Sequence, residues 1–246
     1  MTDHTQSQFA KNGFVKLDNF FTPSALSSVK RVVEVFHTAW CSDNDKFYTT
    51  RAINSSGLTS GQYLAEEQRL ILFKLISDSQ LIKAVDQVIQ KPLFMGSQLF
   101  FDPFNPQQAN YWHRDPQYHL SVEEQKAALT GPEVLHVRIP LTADPGVELI
   151  PGSHKNWDTD EELQIRLEQN GHKHSEGLSN GVGIPLEVGD VLLFSANMIH
   201  RGIYGNNRLA LDILYCERAT QLTEFIQLKH QPSAEMLCDL NKNLFI

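Results

Sequence analysis

The sequence predicts a mainly β protein that begins with helices and continues as an antiparallel β-barrel or jelly roll. Helical periodicity is concentrated in residues 1–92 of the 246-residue chain. From about residue 93 the chain changes to short runs rich in Val, Ile, Leu and Phe, separated by Pro, Gly, Asn and Asp, which are typical of antiparallel strands. Neither a repeat nor a low-complexity linker divides the chain, so we expect one domain over residues 1–246.

The amino-terminal part contains three segments with a helical period. The first is TPSALSSVKRVVEVFHTAW, in which Thr22 or Ser24 can cap the helix and Pro23 suits its first turn. The polar residues 41–62 predict a loop. EEQRLILFKLIS and SQLIKAVDQVIQ predict two further helices, and the second ends before Pro92.

The predicted β core spans about residues 93–216. Its strand-like runs are LFMGSQLFF, VLHVRIPL, VELIP, DVLLFSA and RLALDILYC, and PLEVGDVLLF places a tight Gly-Asp turn between two strands. Residues 155–181 interrupt the strands with one helix, DEELQIRLEQN, and a polar loop. Residues 217–246 form a tail of mixed pattern, expected to add one helix outside the barrel.

The composition argues against several classes of protein. A net charge of −8 without clustered Lys and Arg argues against a nucleic-acid partner. No apolar run approaches the roughly 20 residues that span a bilayer, and the polar amino terminus lacks a signal-peptide pattern. Cys41, Cys216 and Cys238 are odd in number and widely spaced, so neither a disulfide framework nor a CxxC zinc site is expected. We therefore expect a cytoplasmic protein that binds neither nucleic acid nor membrane.

The stretch YWHRDPQYH, residues 111–119, holds candidate metal ligands. If it is a strand, His113 and Asp115 point to one face and Arg114 points away. His200, at the end of the run DVLLFSANMIH, can supply a third ligand. Two histidines and one carboxylate form the facial triad typical of non-haem Fe(II), which leaves positions open for a cosubstrate and oxygen. Structural zinc sites are usually closed by four ligands with much sulfur, so iron is favoured.

Other histidines and one arginine also bear on whether this chain holds an iron site. His119 and the HKH at 172–174 are expected to be ordinary loop histidines. Arg208 stands at the start of the strand that follows His200. An arginine fork binds a carboxylate bidentately, so Arg208 could hold the far carboxylate of 2-oxoglutarate. The alternative for Arg208 is a surface salt bridge at a strand end.

Five motifs in order resemble those of the phytanoyl-CoA dioxygenase (PhyH) family of Fe(II)/2-oxoglutarate-dependent oxygenases. They are FAKNGFVKLDNFFTPSAL, WHRD, VELIPGSHK, PLEVGDVLLFSANMIHRG and the R-x-A-L that follows. The resemblance implies a double-stranded β-helix, the cupin-like jelly-roll core of these enzymes. It implies His113, Asp115 and His200 as iron ligands and Arg208 as the 2-oxoglutarate anchor. Such a dioxygenase would use O2 to hydroxylate a C–H bond of a small-molecule substrate and release succinate and CO2.

The resemblance has departures. The gap from the distal histidine to Arg208 is shorter than is usual in the family, and Gly202 stands where relatives often carry a small hydroxyl residue. Arg138 replaces an aromatic residue; facing inward it could bind 2-oxoglutarate or an acidic substrate group, whereas facing outward it would not. Gln98 lies on the strand where relatives contact 2-oxoglutarate. Asp115 fills the position that related halogenases leave open for halide, which favours hydroxylation.

Two other functions remain compatible with the sequence. A cupin-like metalloenzyme that does not use 2-oxoglutarate would not need Arg208. A non-catalytic jelly-roll binding module would leave the histidines as polar loop residues. The variable segments of such a fold determine its substrate. Here we expect these to be residues 41–62 and 155–181, flanking the barrel mouth. No basic cluster for a CoA phosphate stands out.

Overall fold

In residues 2–246, which the computed structural model describes with side chains from residue 4 onward, nine strands form two antiparallel sheets. The strands are β1 (Phe14–Leu17), β2 (Asn54–Ser56), β3 (Leu93–Phe101), β4 (Val134–Pro140), β5 (Asp144–Leu149), β6 (Val182–Leu186), β7 (Val191–Ser195), β8 (His200–Gly202) and β9 (Leu209–Cys216). The larger sheet has the order β1-β7-β4-β9-β3-β2, and the smaller has the order β6-β5-β8. The predicted mainly β fold with a jelly-roll core is confirmed.

The helices surround this core. They are α1 (Thr2–Asn12), α2 (Pro23–Asp43), α3 (Asp45–Thr50), α4 (Glu66–Ile76), α5 (Ser79–Val85), α6 (Val122–Ala128), α7 (Asp160–Arg166) and α8 (Thr220–Thr223). Helix α2 begins as its sequence predicts, because the Thr22 hydroxyl accepts a hydrogen bond from the N–H of Ala25 and Pro23 occupies the first turn. Among the described residues, no helix has both the length and the apolar character that crossing a bilayer requires.

The amino-terminal part is less purely helical than predicted. β1 pairs with β7 and β2 pairs with β3, so two short strands from this part extend the larger sheet. The segment 41–62, predicted as a loop, contains α3 and β2. Helix α5 ends at Val85, and residues 86–91 form turns and bends instead of the predicted helical continuation. Strands of three or four residues are set by pairing with distant partners, which local sequence does not report.

Side chains alternate along the strands, so that one set faces the large apolar core and the other faces the inside of the barrel. Leu135, Val137 and Ile139 on β4 belong to the large apolar core shared with α2, α4 and α5. His136 and Arg138 on the same strand point the other way and line a cavity inside the barrel. The second sheet closes over this inner face through a smaller apolar cluster, whose members are Val147, Leu149, Leu186, Leu192, Phe194 and Met198.

The carboxy-terminal tail folds back against the barrel. It contains α8 and three short 3-10 turns, where one outer helix was expected. Met236, Leu244 and Phe245 are buried in the large apolar core, and Ile226 packs beside Leu93. The tail therefore forms part of the wall next to β3 rather than a loose extension.

Candidate active site

Three candidate ligands meet at the cavity. Nε2 of His113 lies 3.5 Å and Nε2 of His200 lies 3.6 Å from Oδ1 of Asp115. One potential ligand atom from each residue lies within 4.8 Å of those from the other two. Among the described residues, this is the one group of three or more His, Cys, Asp or Glu side chains with such spacing. The structure thus brings together the triad that the sequence pointed to.

Backbone hydrogen bonds hold the two histidines side by side. The N–H of His113 donates to the carbonyl of His200 (3.0 Å), and the N–H of His200 donates to the carbonyl of His113 (2.9 Å). Nδ1 of His113 lies 3.2 Å from the carbonyl of Tyr111, and Nδ1 of His200 lies 3.0 Å from that of Met198. A carbonyl only accepts, so each Nδ1 carries a proton and each ring is held with its Nε2 towards Asp115.

Electrostatics keeps one of these rings neutral. Burial, followed by the charge of His113, lowers the pKa of His200 to about 3. A neutral imidazole with Nδ1 bonded to a carbonyl is the form that binds a metal through Nε2. The ring of His200 is therefore prepared as a donor.

The WHRD segment is not a regular strand, although the prediction that His113 and Asp115 share one face assumed that it was. His113 makes an isolated bridge to His200, and a short 3-10 turn begins at Asp115. Arg114 does point away from the cavity: its Nη2 lies 2.7 Å from Oδ1 of Asp158, and its Nη1 donates to the carbonyl of Ser153 (2.6 Å). This buried anchor fixes the backbone between the two candidate ligands.

One side chain that the sequence analysis did not select contacts the triad directly. Nε2 of His136 lies 2.6 Å from Oδ2 of Asp115, and its Nδ1 lies 3.2 Å from Oδ1 of Asp212. Burial alone would lower the pKa of His136, but the carboxylates of Asp212 and Asp115 outweigh it and raise the pKa to about 10. His136 is thus a buried imidazolium that engages one oxygen of Asp115 and leaves the other facing the two histidines.

Arg138 faces the barrel interior. Its Nε and Nη2 lie 3.1 and 2.6 Å from Oδ2 of Asp212, and the guanidinium carbon lies 4.1 Å from the centre of the Phe100 ring. The remaining nitrogen, Nη1, is buried and has no hydrogen-bond partner. Of the two orientations left open by the sequence, the inward one is correct.

Arg208 lies beside Arg138 and is also buried, with 2% of its surface exposed. Its guanidinium carbon lies 5.6 Å from the Phe100 ring centre, Nη1 donates to the carbonyl of Ile203 (2.8 Å), and Nε has no hydrogen-bond partner. Burial, followed by the charge of Arg138, lowers the pKa of Arg208. The alternative left open by the sequence, a surface salt bridge, is wrong. Arg208 is buried, and its Nε lies 4.0 Å from Oδ1 of Asp144, which is buried too.

Gly202 makes room for this arginine. A Cβ atom at Gly202 would lie 2.8 Å from Nη1 of Arg208. A hydroxyl residue, which the resemblance leads one to expect here, would collide with the guanidinium group. The departure at Gly202 and the position of Arg208 are therefore linked.

The cavity has a volume of about 870 Å³. Six residues proposed from the sequence line it: His113, Asp115, His200, Arg208, Arg138 and Gln98. Gln98 on β3 stands opposite Asp212 on β9, which in turn stands opposite Arg138 on β4. The alternation in VLHVRIPL puts His136 on the face of Arg138, a signal that could have identified it.

A family profile described as phytanoyl-CoA dioxygenase (PhyH) matches residues 9–207. The chain belongs to the phytanoyl-CoA dioxygenase family. The resemblance drawn from the five motifs is thereby confirmed. As a member of the phytanoyl-CoA dioxygenase family, the protein is a non-haem iron oxygenase that depends on 2-oxoglutarate, with iron and 2-oxoglutarate as cofactors.

Solved structures share the fold of this phytanoyl-CoA dioxygenase family member. HygX from Streptomyces hygroscopicus, with nickel and 2-oxoglutarate bound, is 15% identical with a TM-score of 0.65, covering 89% of this chain and 88% of HygX. EctD from S. alaskensis in its apoform is 16% identical (TM-score 0.63; 87% and 76% covered). AviO1 from Streptomyces viridochromogenes Tue57 is 18% identical (TM-score 0.60; 89% and 96% covered). A comparison with curated protein sequences gave no significant match.

Proposed function

We propose that this oxygenase hydroxylates a C–H bond of a small-molecule substrate and releases succinate and CO2. One observation carries the proposal: two imidazole nitrogens and one carboxylate oxygen converge in a cavity that is also lined by two arginines, each with one buried nitrogen that has no hydrogen-bond partner. A cupin-like enzyme without 2-oxoglutarate would leave those cationic groups unexplained. A binding module would need neither feature.

The donor set fits iron. Nε2 of His113, Nε2 of His200 and Oδ1 of Asp115 would hold the metal. Two nitrogens and one oxygen, with no sulfur, suit non-haem Fe(II), and three protein ligands leave positions for a cosubstrate and oxygen. Because Asp115 supplies an oxygen, hydroxylation is favoured over halogenation.

The arginine pair fits the far carboxylate of 2-oxoglutarate. A buried donor without a partner costs roughly 1–3 kcal/mol, and Nη1 of Arg138 and Nε of Arg208 are two such donors. Two adjacent guanidinium groups also repel each other, which a bound dianion would offset. We assign Arg208 and Arg138 to this carboxylate, with the Gln98 amide as a further hydrogen-bonding group on the neighbouring strand.

The chain contributes the positions of the reacting groups. When bound, iron and 2-oxoglutarate supply the oxidising chemistry, in which O2 is consumed and 2-oxoglutarate becomes succinate and CO2. His136 holds one oxygen of Asp115 so that the other stays directed at the metal position. Phe194, which is buried and whose ring centre lies 5.2 Å from that of His200, gives this ligand an apolar neighbour.

Isotope labelling tests the reaction type. The purified protein with Fe(II), 2-oxoglutarate and a set of candidate small molecules is incubated under 18O2. We expect one labelled oxygen atom in the product and one in succinate, in equal amounts. Labelled product without succinate would instead favour the cupin-like alternative, and no oxidation with any compound, together with no succinate, would favour the binding module.

We also propose that the protein acts on its small molecule in the cytoplasm. The support is the cysteine pattern, since Cys41, Cys216 and Cys238 are all unpaired in the structure. Fractionation of cells that express the tagged protein tests this, with a cytoplasmic marker enzyme as the reference. Recovery with an oxidising compartment would contradict it.

A further inference from the structure

The cavity extends well beyond the cofactor positions. At about 870 Å³ it lies in the upper part of the roughly 300–1,000 Å³ range of small-molecule sites. Arg138 and Val134 both line it and lie four residues, or about 13 Å, apart on β4, so that the lining around Val134 forms a second part away from Arg138. A five-carbon cosubstrate held near Arg138 leaves this second part free. We call it the outer arm.

The outer arm is lined mainly by apolar side chains from five segments of the chain. They are Met95 on β3, Val134 on β4, Leu214 on β9, Leu120 before α6, and Leu222 and Phe225 in the tail. Gly96 lies on the same wall, and a Cβ atom there would meet no atom within 4 Å. The arm therefore offers an open apolar surface next to the triad.

Lys and Arg side chains are absent from the described lining of the outer arm. Of the described residues that line the whole cavity, Arg138 and Arg208 are the only Lys or Arg, and both lie at the inner end beside Phe100. The carboxylate of Glu124 is exposed, and one of its oxygens, Oε2, accepts from the backbone N–H (2.8 Å) and hydroxyl (2.6 Å) of Ser121. A phosphate or carboxylate would therefore find no Lys or Arg partner in the outer arm.

Two aromatic rings in the lining of the arm are exposed at the surface. The Phe225 side chain is 52% exposed, and its ring centre lies 6.0 Å from that of the exposed His119. Both Phe225 and Leu222 lie in the tail, beyond the residues matched by the family. The tail side of the arm is thus a feature of this chain in addition to the shared core.

We propose that the outer arm binds the uncharged, apolar body of the substrate. The substrate class is a neutral hydrophobic small molecule, longer than 2-oxoglutarate, with the carbon to be oxidised near the triad. Acyl-CoA thioesters and free carboxylic acids fall outside this class, because the outer arm offers no Lys or Arg to their negative charges. The inference rests on the proposed function, since the position of the oxidised carbon follows from the proposed metal site.

Binding of N-phenyl-1-naphthylamine, a neutral apolar fluorophore, tests the outer arm. Gly96→Leu would fill the arm without backbone strain, because Gly96 does not adopt a positive φ. Gly177→Leu is the matched control: Gly177 is exposed, a Cβ atom there also meets nothing within 4 Å, and it does not line the cavity. A second pair is Phe225→Glu on the rim and Leu228→Glu, which is 73% exposed and outside the lining.

We expect wild type and both controls to bind the fluorophore equally, and Gly96→Leu and Phe225→Glu to bind it at least tenfold more weakly. 1-Decanol should displace the fluorophore from wild type, whereas decanoate and decanoyl-CoA should not. Unchanged binding in both arm variants, or displacement by decanoate or decanoyl-CoA as strong as by decanol, would overturn the proposal. Titration of the same samples with 2-oxoglutarate and Mn(II) separates the two claims: if wild type binds the fluorophore but not 2-oxoglutarate, the proposed function fails and the outer arm stands.

Discussion

Nε2 of His136 lies 2.6 Å from Oδ2 of Asp115, and this contact decides which oxygen of Asp115 is available at the triad. The other oxygen, Oδ1, lies between 3.5 and 3.6 Å from Nε2 of His113 and of His200. Asp212 accepts from the second nitrogen of His136, so the ring cannot rotate without losing a buried ion pair. His136 on β4 and Asp212 on β9 thus fix the orientation of Asp115 in the triad.

Replacing His136 with Leu is expected to weaken metal binding by about 10- to 100-fold, because Asp115 loses the donor that orients it. His136→Gln should recover part of the affinity, since the amide can donate to Asp115. Mn(II) titration calorimetry measures the affinity, and the absorption band of the anaerobic Fe(II)–2-oxoglutarate complex should shift in the Leu variant. A band and an affinity equal to wild type in His136→Leu would rule out the positioning role.

Arg138→Met is expected to lower both 2-oxoglutarate affinity and stability, because it leaves the buried Asp212 paired with His136 alone. Removing one partner of a buried ion pair costs about 3–5 kcal/mol in the free energy of unfolding. Urea denaturation measures this loss, and the double variant Arg138→Met/Asp212→Asn should regain most of it without regaining 2-oxoglutarate affinity. Normal cosubstrate affinity in the single variant would remove Arg138 from the carboxylate site.

A histidine remote from the triad predicts the response of stability to acid. Burial, followed by the charge of Lys155, lowers the pKa of His154 to about 4 from its usual 6.5. The folded state therefore binds fewer protons than the unfolded state between these values. Stability from this group is complete above pH 6.5 and is lost as the pH falls towards 4, by about 2 kcal/mol after allowance for solvent screening.

The variant His154→Phe tests this dependence, since a phenyl ring can keep the packing against Phe9 and cannot titrate. Denaturation curves between pH 4 and 8 should show a shallower acid loss in this variant than in wild type. His4→Phe, at an exposed position, serves as the control and should follow wild type. Parallel pH profiles for wild type and His154→Phe would contradict the assignment.

The part of the site that depends on residue type and order could be predicted from the sequence. His113, Asp115 and His200 stand in motifs with chemical meaning, and Arg208 follows at a strand start. Asp212 gave no such signal, because its role comes from the register that sets it between Gln98 and Arg138. Pairing between strands that are far apart in the sequence is a tertiary property, which a local pattern does not contain.

The same limit applies to the fold. Helix α2 was predictable from its cap, its proline and its apolar period. β1 was not, because FVKL becomes a strand only through pairing with β7. The tail pattern predicted one helix, whereas burial of Met236 and Phe245 selects short turns against the core. Elements with strong local periodicity were predictable, and elements held by distant contacts were not.

Calorimetric titration of the anaerobic protein with 2-oxoglutarate tests the central claim most directly. It is performed with and without Fe(II), on wild type and on Arg208→Ala. We predict binding to wild type that requires Fe(II) and is at least tenfold weaker in Arg208→Ala, since the far carboxylate loses its buried cation. Binding that is independent of Fe(II), or equal in the variant, would contradict the assignment of the triad and Arg208 to one cofactor site.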